Sequence, residues 1–372
     1  MKFVNTIKRA ALNLPGWSTK RKIVVFESDD WGSIRSTKTS YDALLNKGYT
    51  DDKDLYARFD CLESNEDLEA LFTVLAKFKD HKGNHPVITA NTIMGNPDFD
   101  KIRDSGFNEY FFEPFTKTLE RYYPTTNAPK LWLEGVKNKF FTPQFHGREH
   151  LKVNSWMHDL KFNMKGAAAL AFEHGVFCYP LENSLKRENF MASFDIFKKE
   201  EEETVLQSLK EGLALFENFF GFHSKTLIAP CYVWSKTIEK VAASLGIKGI
   251  QGIPWQQAPN IDGSGYSKIF HFTGQKNIFE QYYLVRNAFF EPTLYGDQFS
   301  VQDVLDRMKI AFWMNKPLII GTHRINFAGG IHQSNRDANL KSLESLLATI
   351  IKLYPDVEFM SSNELVELVS ND

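Results

Sequence analysis

The chain reads as an α/β protein, a distorted (β/α) barrel of seven or eight mostly parallel strands with helices outside. Short β-rich apolar runs recur along it, and most are too apolar to leave one face wet. Longer segments with helical periodicity separate them, as parallel strands require. Across 372 residues there is no Gly/Ser linker, low-complexity tract or fixed-period repeat, so one catalytic domain over 1–372 is expected. At that length a barrel is favoured over an open sheet.

Taken in order, the candidate strands are Lys22–Phe26 (KIVVF), Pro86–Ala90 (PVITA), Phe140–Phe145 (FFTPQF), Thr226–Ala229 (TLIA), Lys248–Gln251 (KGIQ), Tyr282–Arg286 (YYLVR), Pro317–Gly321 (PLIIG) and Val357–Met360 (VEFM). Helical patterns cover Ser64–Lys79, Leu151–His174, Glu200–Phe220, Ser235–Leu245, Val301–Trp313, Asn335–Leu353 and Ser362–Val369. The core therefore spans about 22–369. Met94 to Lys139, rich in Phe, Tyr and Pro, reads as a long irregular insertion after the second strand. In a barrel, catalytic groups belong at the C-terminal ends of the strands.

Composition narrows the function. Lys+Arg 44 against Asp+Glu 46 leaves a net charge of -2, which provides no global field for nucleic acid or an anionic membrane. A small or neutral ligand fits better. The three cysteines, Cys61, Cys178 and Cys231, are widely spaced and odd in number, so they read as reduced core thiols. Met1 to Trp17 lacks an apolar run of signal-peptide length, and no later stretch approaches membrane-spanning length, so a cytoplasmic location without membrane insertion is expected.

Three motifs fall at strand ends. KIVVF runs into Glu27-Ser28-Asp29-Asp30-Trp31-Gly32, where two adjacent carboxylates repel each other and cap no obvious helix. A divalent cation would relieve that repulsion, leaving one carboxylate as a ligand and the other as a proton acceptor; the plainer alternative is a solvated turn. His146-Gly147-Arg148-Glu149-His150 follows FFTPQF and is read as opening the next helix, so its i and i+4 imidazoles fall on one face at a zinc-type spacing. His81 and His85 share that spacing but precede PVITA, at the opposite end of a barrel, and read as a surface turn. PLIIG ends in Thr322-His323, which adds a histidine at the same rim.

These residues resemble the polysaccharide deacetylase family, the NodB-homology domain of carbohydrate esterases. Ser28-Asp29-Asp30 matches its paired aspartates, His146-x-x-x-His150 its second motif and Gly321-Thr322-His323 its late histidine. The resemblance implies Asp29 as base, Asp30, His146 and His150 as ligands of one divalent metal, and His323 as acid. Zinc suits that ligand set, with Co2+, Ni2+ or Fe2+ as alternatives. The implied reaction removes an N-acetyl or O-acetyl group from a sugar or polysaccharide. Ile228-Ala229-Pro230 stands where the family has Arg-x-Pro, so the arginine that orients the base is expected from Arg286, at the end of YYLVR.

Trp31, Trp234, Asn91 and Asn96 are the candidates for sugar contact, although with Phe 32 and Trp 7 in the chain most aromatics must be core. A glycoside hydrolase using Asp29 and Glu291 is the first rival. It leaves the two histidines unexplained. A sugar-binding protein derived from a deacetylase is the second.

Overall fold

The computed structural model of the chain describes residues 9–177 and 190–372. Its main sheet has nine strands, paired in parallel throughout. They are β1 Lys22–Trp31, β2 Ile88–Thr92, β3 Phe141–Phe145, β4 Thr226–Ile228, β5 Gly249–Gly252, β6 Tyr282–Val285, β7 Ala288–Phe289, β8 Leu318–His323 and β9 Val357–Met360. All eight expected strands are present. The spatial order is β6-β5-β4-β3-β2-β1-β8-β7, with β9 beside the first residues of β1.

β6 and β7 stand at opposite ends of that order, yet only Arg286 and Asn287 separate them in sequence. One stretch of chain therefore pairs with β5 through its first half and with β8 through its second. The Arg286 N–H donates to Gly252 O and the Asn287 N–H to Ile319 O. These bonds close the seam, and the sheet becomes a barrel in which β6 and β7 share one position.

Strand side chains alternate, so β1 sends Ile23, Val25, Glu27 and Asp29 to the lumen and Val24 and Phe26 outward. Ile23, Val25, Leu284 and Ile319 meet Leu365, Val366 and Val369 from the C-terminal helix Ser362–Asn371, which plugs the lower mouth. Val24, Phe26, Ile88, Leu227, Ile250 and Leu318 belong instead to the large core beneath the outer helices. Above the apolar plug the lumen turns polar. Arg286 bonds Glu27 and Asp29, Asn91 bonds Asp29 and Gln251, Gln251 bonds Thr226, and Thr226 bonds Gln144. Each of these residues is almost fully buried, and an unpaired member would cost about 1–3 kcal/mol.

That polar ladder explains one departure from expectation. β1 does not stop at Phe26 but continues to Trp31, because its carboxylates find partners inside the barrel. The stretch from Met94 to Lys139 is also not irregular. It holds the antiparallel pair Gly95–Pro97 and Phe112–Pro114 and the helices Phe99–Asp104, Phe115–Tyr122 and Ala128–Lys137. Asp98 and Asn127 cap the first and last of these helices, elements too short for periodicity to register. The single helix expected over Leu151–His174 is two, Val153–Phe162 and Ala167–Glu173, broken around Gly166. A further hairpin, Trp255–Pro259 with Tyr266–Phe270, follows β5.

Cys61 and Cys231 are free thiols; Cys178 lies outside the described residues. No helix among the described residues is long and apolar enough to cross a membrane.

Gly321 faces the lumen from β8. A Cβ there would lie 2.6 Å from Cδ of Arg286 and 3.1 Å from the Phe289 ring, so the absence of a side chain is what admits the arginine stem. Gly321→Ala is expected to destabilise the fold by roughly 1–3 kcal/mol, as overpacking does. The check is a lower urea midpoint at unchanged m-value; an unmoved midpoint would show that the arginine stem has room to spare.

Candidate metal centre and its neighbours

The site is built on an irregularity in β1. Ser28 pairs with Ala90 and Trp31 with Thr92, so three steps on β1 face two on β2. Asp30 sits at φ +74°, a left-handed conformation that costs a non-glycine residue about 1–2 kcal/mol. The bulge turns the Asp30 carboxylate away from Asp29 and towards the chain leaving β3.

There, His146 and His150 converge by a route other than the one expected. Residues 146–152 form no helix, which begins only at Val153. Gly147, at φ +125°, reverses the chain so that the two rings meet edge to face with centroids 5.0 Å apart. Nε2 of His146 and Nε2 of His150 lie 3.3 and 3.2 Å from the same Asp30 Oδ1. The His146 ring is oriented by its Nδ1 contact with Ile228 O at 2.9 Å, whereas Nδ1 of His150 is buried with no hydrogen-bond partner among the described residues.

This donor set fits a metal. Among the described residues, Asp30, His146 and His150 form a buried group whose ligand atoms all lie within 4.8 Å of one another. Burial, opposed by the nearby Asp30 charge, brings the His150 imidazole down to about 4. It is therefore neutral in the neutral pH range, the state a ligand needs. Asp30 is held well below the usual carboxylate range: burial acts against this, but Arg35 and the two histidines prevail. Arg35 takes the other oxygen, Oδ2, at 2.9 Å. Behind it, Asp60, Arg324 and Glu63 continue a buried chain of alternating charge. His81 and His85 lie elsewhere, each ring bonded to a backbone carbonyl, Val357 O and Phe78 O.

Asp29 has a separate partner. Arg286 reaches it with both guanidinium arms, Nη2 to Oδ1 at 2.6 Å and Nη1 to Oδ2 at 2.8 Å, while Nε bonds Glu27 at 2.8 Å. Asn91 adds a bond of 2.8 Å to Oδ1. Burial alone would raise the Asp29 pKa, but Arg286 outweighs it and the net shift is downward. Facing Asp29 across the mouth, His323 places Nε2 3.7 Å from Oδ2 and binds Glu291 through Nδ1 at 2.6 Å. Burial works against the imidazolium, yet Glu291 raises its pKa to about 9. Asn326 fixes the second oxygen of Glu291 at 2.7 Å.

The residues proposed for sugar contact do not line this mouth. Trp31 is fully buried, its ring against Trp132, Phe141 and Phe327 and its indole N–H on Ser28. Trp234 is buried, stacks on His271 and donates to Glu239. Asn91 serves Asp29 and Gln251, and Asn96 ties Gly32 O to the Ile34 N–H. Core packing engages the two tryptophans and local pairing engages Asn96, while Asn91 spends its amide N–H groups on Asp29 and Gln251. Sequence reading also missed Arg35, and took Glu291 only as half of a carboxylate pair. Both oxygens of Glu291 are engaged, which does not favour it as a glycosidase acid. The one signal for Arg35 was its position five residues after Asp30.

No family model and no curated protein matches the chain. Solved structures of similar fold do. One, provisionally described as a glycoside hydrolase/deacetylase from Parabacteroides distasonis, is 8% identical over 94% of this chain and 72% of its own, with a TM-score of 0.50. Another, provisionally described as a polysaccharide deacetylase from Mycobacterium smegmatis, is 11% identical over 96% of this chain and 93% of its own, with a TM-score of 0.45. Puue allantoinase is 10% identical over 94% and 91%, also at 0.45. Identities this low speak to the fold alone.

Two outcomes follow from this geometry. His150→Ala should lower affinity for zinc at least tenfold, with His81→Ala unchanged; equilibrium dialysis decides, and equal affinity in all three proteins removes the centre. The second concerns the His323–Glu291 pair in metal-free protein. Its folded pKa of about 9 exceeds the roughly 6.5 of an unfolded chain, so its stabilisation is complete below pH 6.5 and fades as pH rises through 9. Urea unfolding should therefore show wild type more stable than Glu291→Gln at pH 6, with the gap narrowing by pH 9.5. A gap that widens with pH contradicts the pairing.

Proposed function

We propose that the chain is a metal-dependent hydrolase that removes an acetyl group from an acetylated sugar, at nitrogen or oxygen. The observation that carries this reading is the division of labour at one mouth: a buried Asp-His-His cluster, an adjacent carboxylate withheld from it by its own arginine, and an imidazolium opposite. An amide resists hydrolysis because water is a poor nucleophile and an amine a poor leaving group. A divalent ion held by Asp30, His146 and His150, with zinc the best match to two imidazoles and a carboxylate, would polarise the acyl carbonyl and acidify water.

The remaining steps belong to side chains. Asp29, kept ionised by Arg286, takes the proton of the attacking water. Its lowered pKa makes it a weak base, but one whose position is fixed by three hydrogen bonds. His323, kept protonated by Glu291, delivers a proton from Nε2 to the departing nitrogen. The acid and the base face each other at 3.7 Å, close enough to serve two atoms of one tetrahedral centre. The sugar class rests on the motif resemblance and on the fold shared with the Parabacteroides distasonis structure, whose description includes both glycoside hydrolysis and deacetylation.

Acetate release from a panel of N- and O-acetylated glycans, together with metal analysis, tests the assignment. Asp29→Asn keeps shape but removes the proton acceptor, so turnover should fall by roughly two to four orders of magnitude with the metal retained. Asp30→Asn should lose both. His323→Ala should keep the metal and lose far less activity on an activated aryl acetate, whose leaving group needs no proton. If the two aspartate variants retain metal and full activity, the deacetylase reading fails.

A further inference from the structure

Tyr56 is outside all three motifs. It lies on the five-residue helix Leu55–Phe59, whose first turn is capped by Asp54 accepting from the Ala57 N–H. The segment belongs to the connection between β1 and β2, and nothing in its sequence marks it as functional. In the folded chain its half-buried ring meets the His323 imidazole edge to face, with centroids 6.0 Å apart and planes at 84°. The guanidinium of Arg35 lies over the same ring at 4.9 Å, and Arg35 is anchored on Asp30 and Asp60.

Resting on the function proposed above, we propose that Tyr56 is a positioning residue: its ring fixes the direction in which His323 presents Nε2. The argument is geometric. Glu291 holds His323 by one atom, Nδ1, which sets the nitrogen that faces outward, but small coupled rotations about the two side-chain torsions still swing the Nε2 edge. A second contact is needed to keep Nε2 aimed at the gap before Asp29, and the Tyr56 ring supplies it. Edge-to-face packing of two rings is also an attractive contact. Arg35 holds the other side of the arrangement, so one packed chain, Asp30–Arg35–Tyr56–His323, links the proposed metal ligand to the proposed acid. Burial, reinforced by the Asp30 and Glu291 carboxylates, keeps the phenol protonated, so Tyr56 stays neutral and leaves the imidazolium charge to Glu291.

The test compares Tyr56→Phe, which keeps the ring, with Tyr56→Leu and Tyr56→Met, which remove it, in full-length zinc-loaded protein. Removing the ring should lower kcat on an N-acetylated sugar by about 10- to 100-fold, the scale of a misplacement near 1 Å, with KM, zinc content and the rate on an aryl acetate within about twofold of wild type. Tyr56→Phe should restore most of kcat. Equal loss on both substrates, or loss of zinc, would reduce Tyr56 to general packing. An activity-free arm uses 15N-histidine spectra, with His323 assigned through His323→Gln. The His323 ring signals should move in Tyr56→Leu and return in Tyr56→Phe; unmoved signals overturn the proposal. If wild type releases no acetate at all, the deacetylase reading falls, and the spectra still decide what Tyr56 does to His323.

Discussion

A guanidinium with no access to water must find its partners inside the protein, and Arg286 finds them on β1. Its side chain is fully buried between Glu27 and Asp29, at the point where the chain crosses from β5 to β8 and closes the barrel. Removing one partner of such a cluster leaves a buried charge uncompensated, a loss of about 3–5 kcal/mol. Several features follow from this one demand. Gly321 is without a side chain where the arginine stem passes. Ser362, in the helix that plugs the barrel, donates to the free oxygen of Glu27. Burial raises the Glu27 pKa while that of Asp29 falls, so the bidentate end of the fork selects Asp29 as the firmly ionised carboxylate.

The adjacent aspartates show how like charges can be kept side by side. The bulge at Asp30 separates their directions, and each then acquires its own arginine, Arg286 for Asp29 and Arg35 for Asp30. A metal is therefore not needed to relieve their repulsion. What the cluster offers an ion is different: one carboxylate oxygen already shared by two imidazoles, with the second oxygen occupied behind it. Strain at a single left-handed aspartate is the local cost of keeping the two carboxylates apart.

On the opposite side of the mouth, Glu291 and Asn326 come from the segments that follow β7 and β8 and orient His323 through its Nδ1 atom. The result is an imidazole whose outward nitrogen is the only one open to solvent or ligand. Such an arrangement favours the charged ring through a neighbour that contacts only its Nδ1 atom.

By itself the sequence determined the eight expected strands and the strand ends at which Asp29, Asp30, His146, His150 and His323 meet. Those depend on hydrophobic periodicity and on motif spacing, which are local. Tertiary structure decided the rest. The contact between Arg286 and Asp29 spans 257 residues, and that between Arg324 and Asp60 spans 264; no local pattern records such pairs. Arg286 was placed from its strand end, but Arg35, Glu291 as the partner of His323, and Tyr56 had no comparable signal. Trp31 and Trp234 followed the opposite course, since an aromatic beside a motif looks the same in sequence whether it faces a ligand or the core. The polar lumen hid the true length of β1, because a strand is recognised by its apolar residues and this one ends in carboxylates that only a closed barrel could bury.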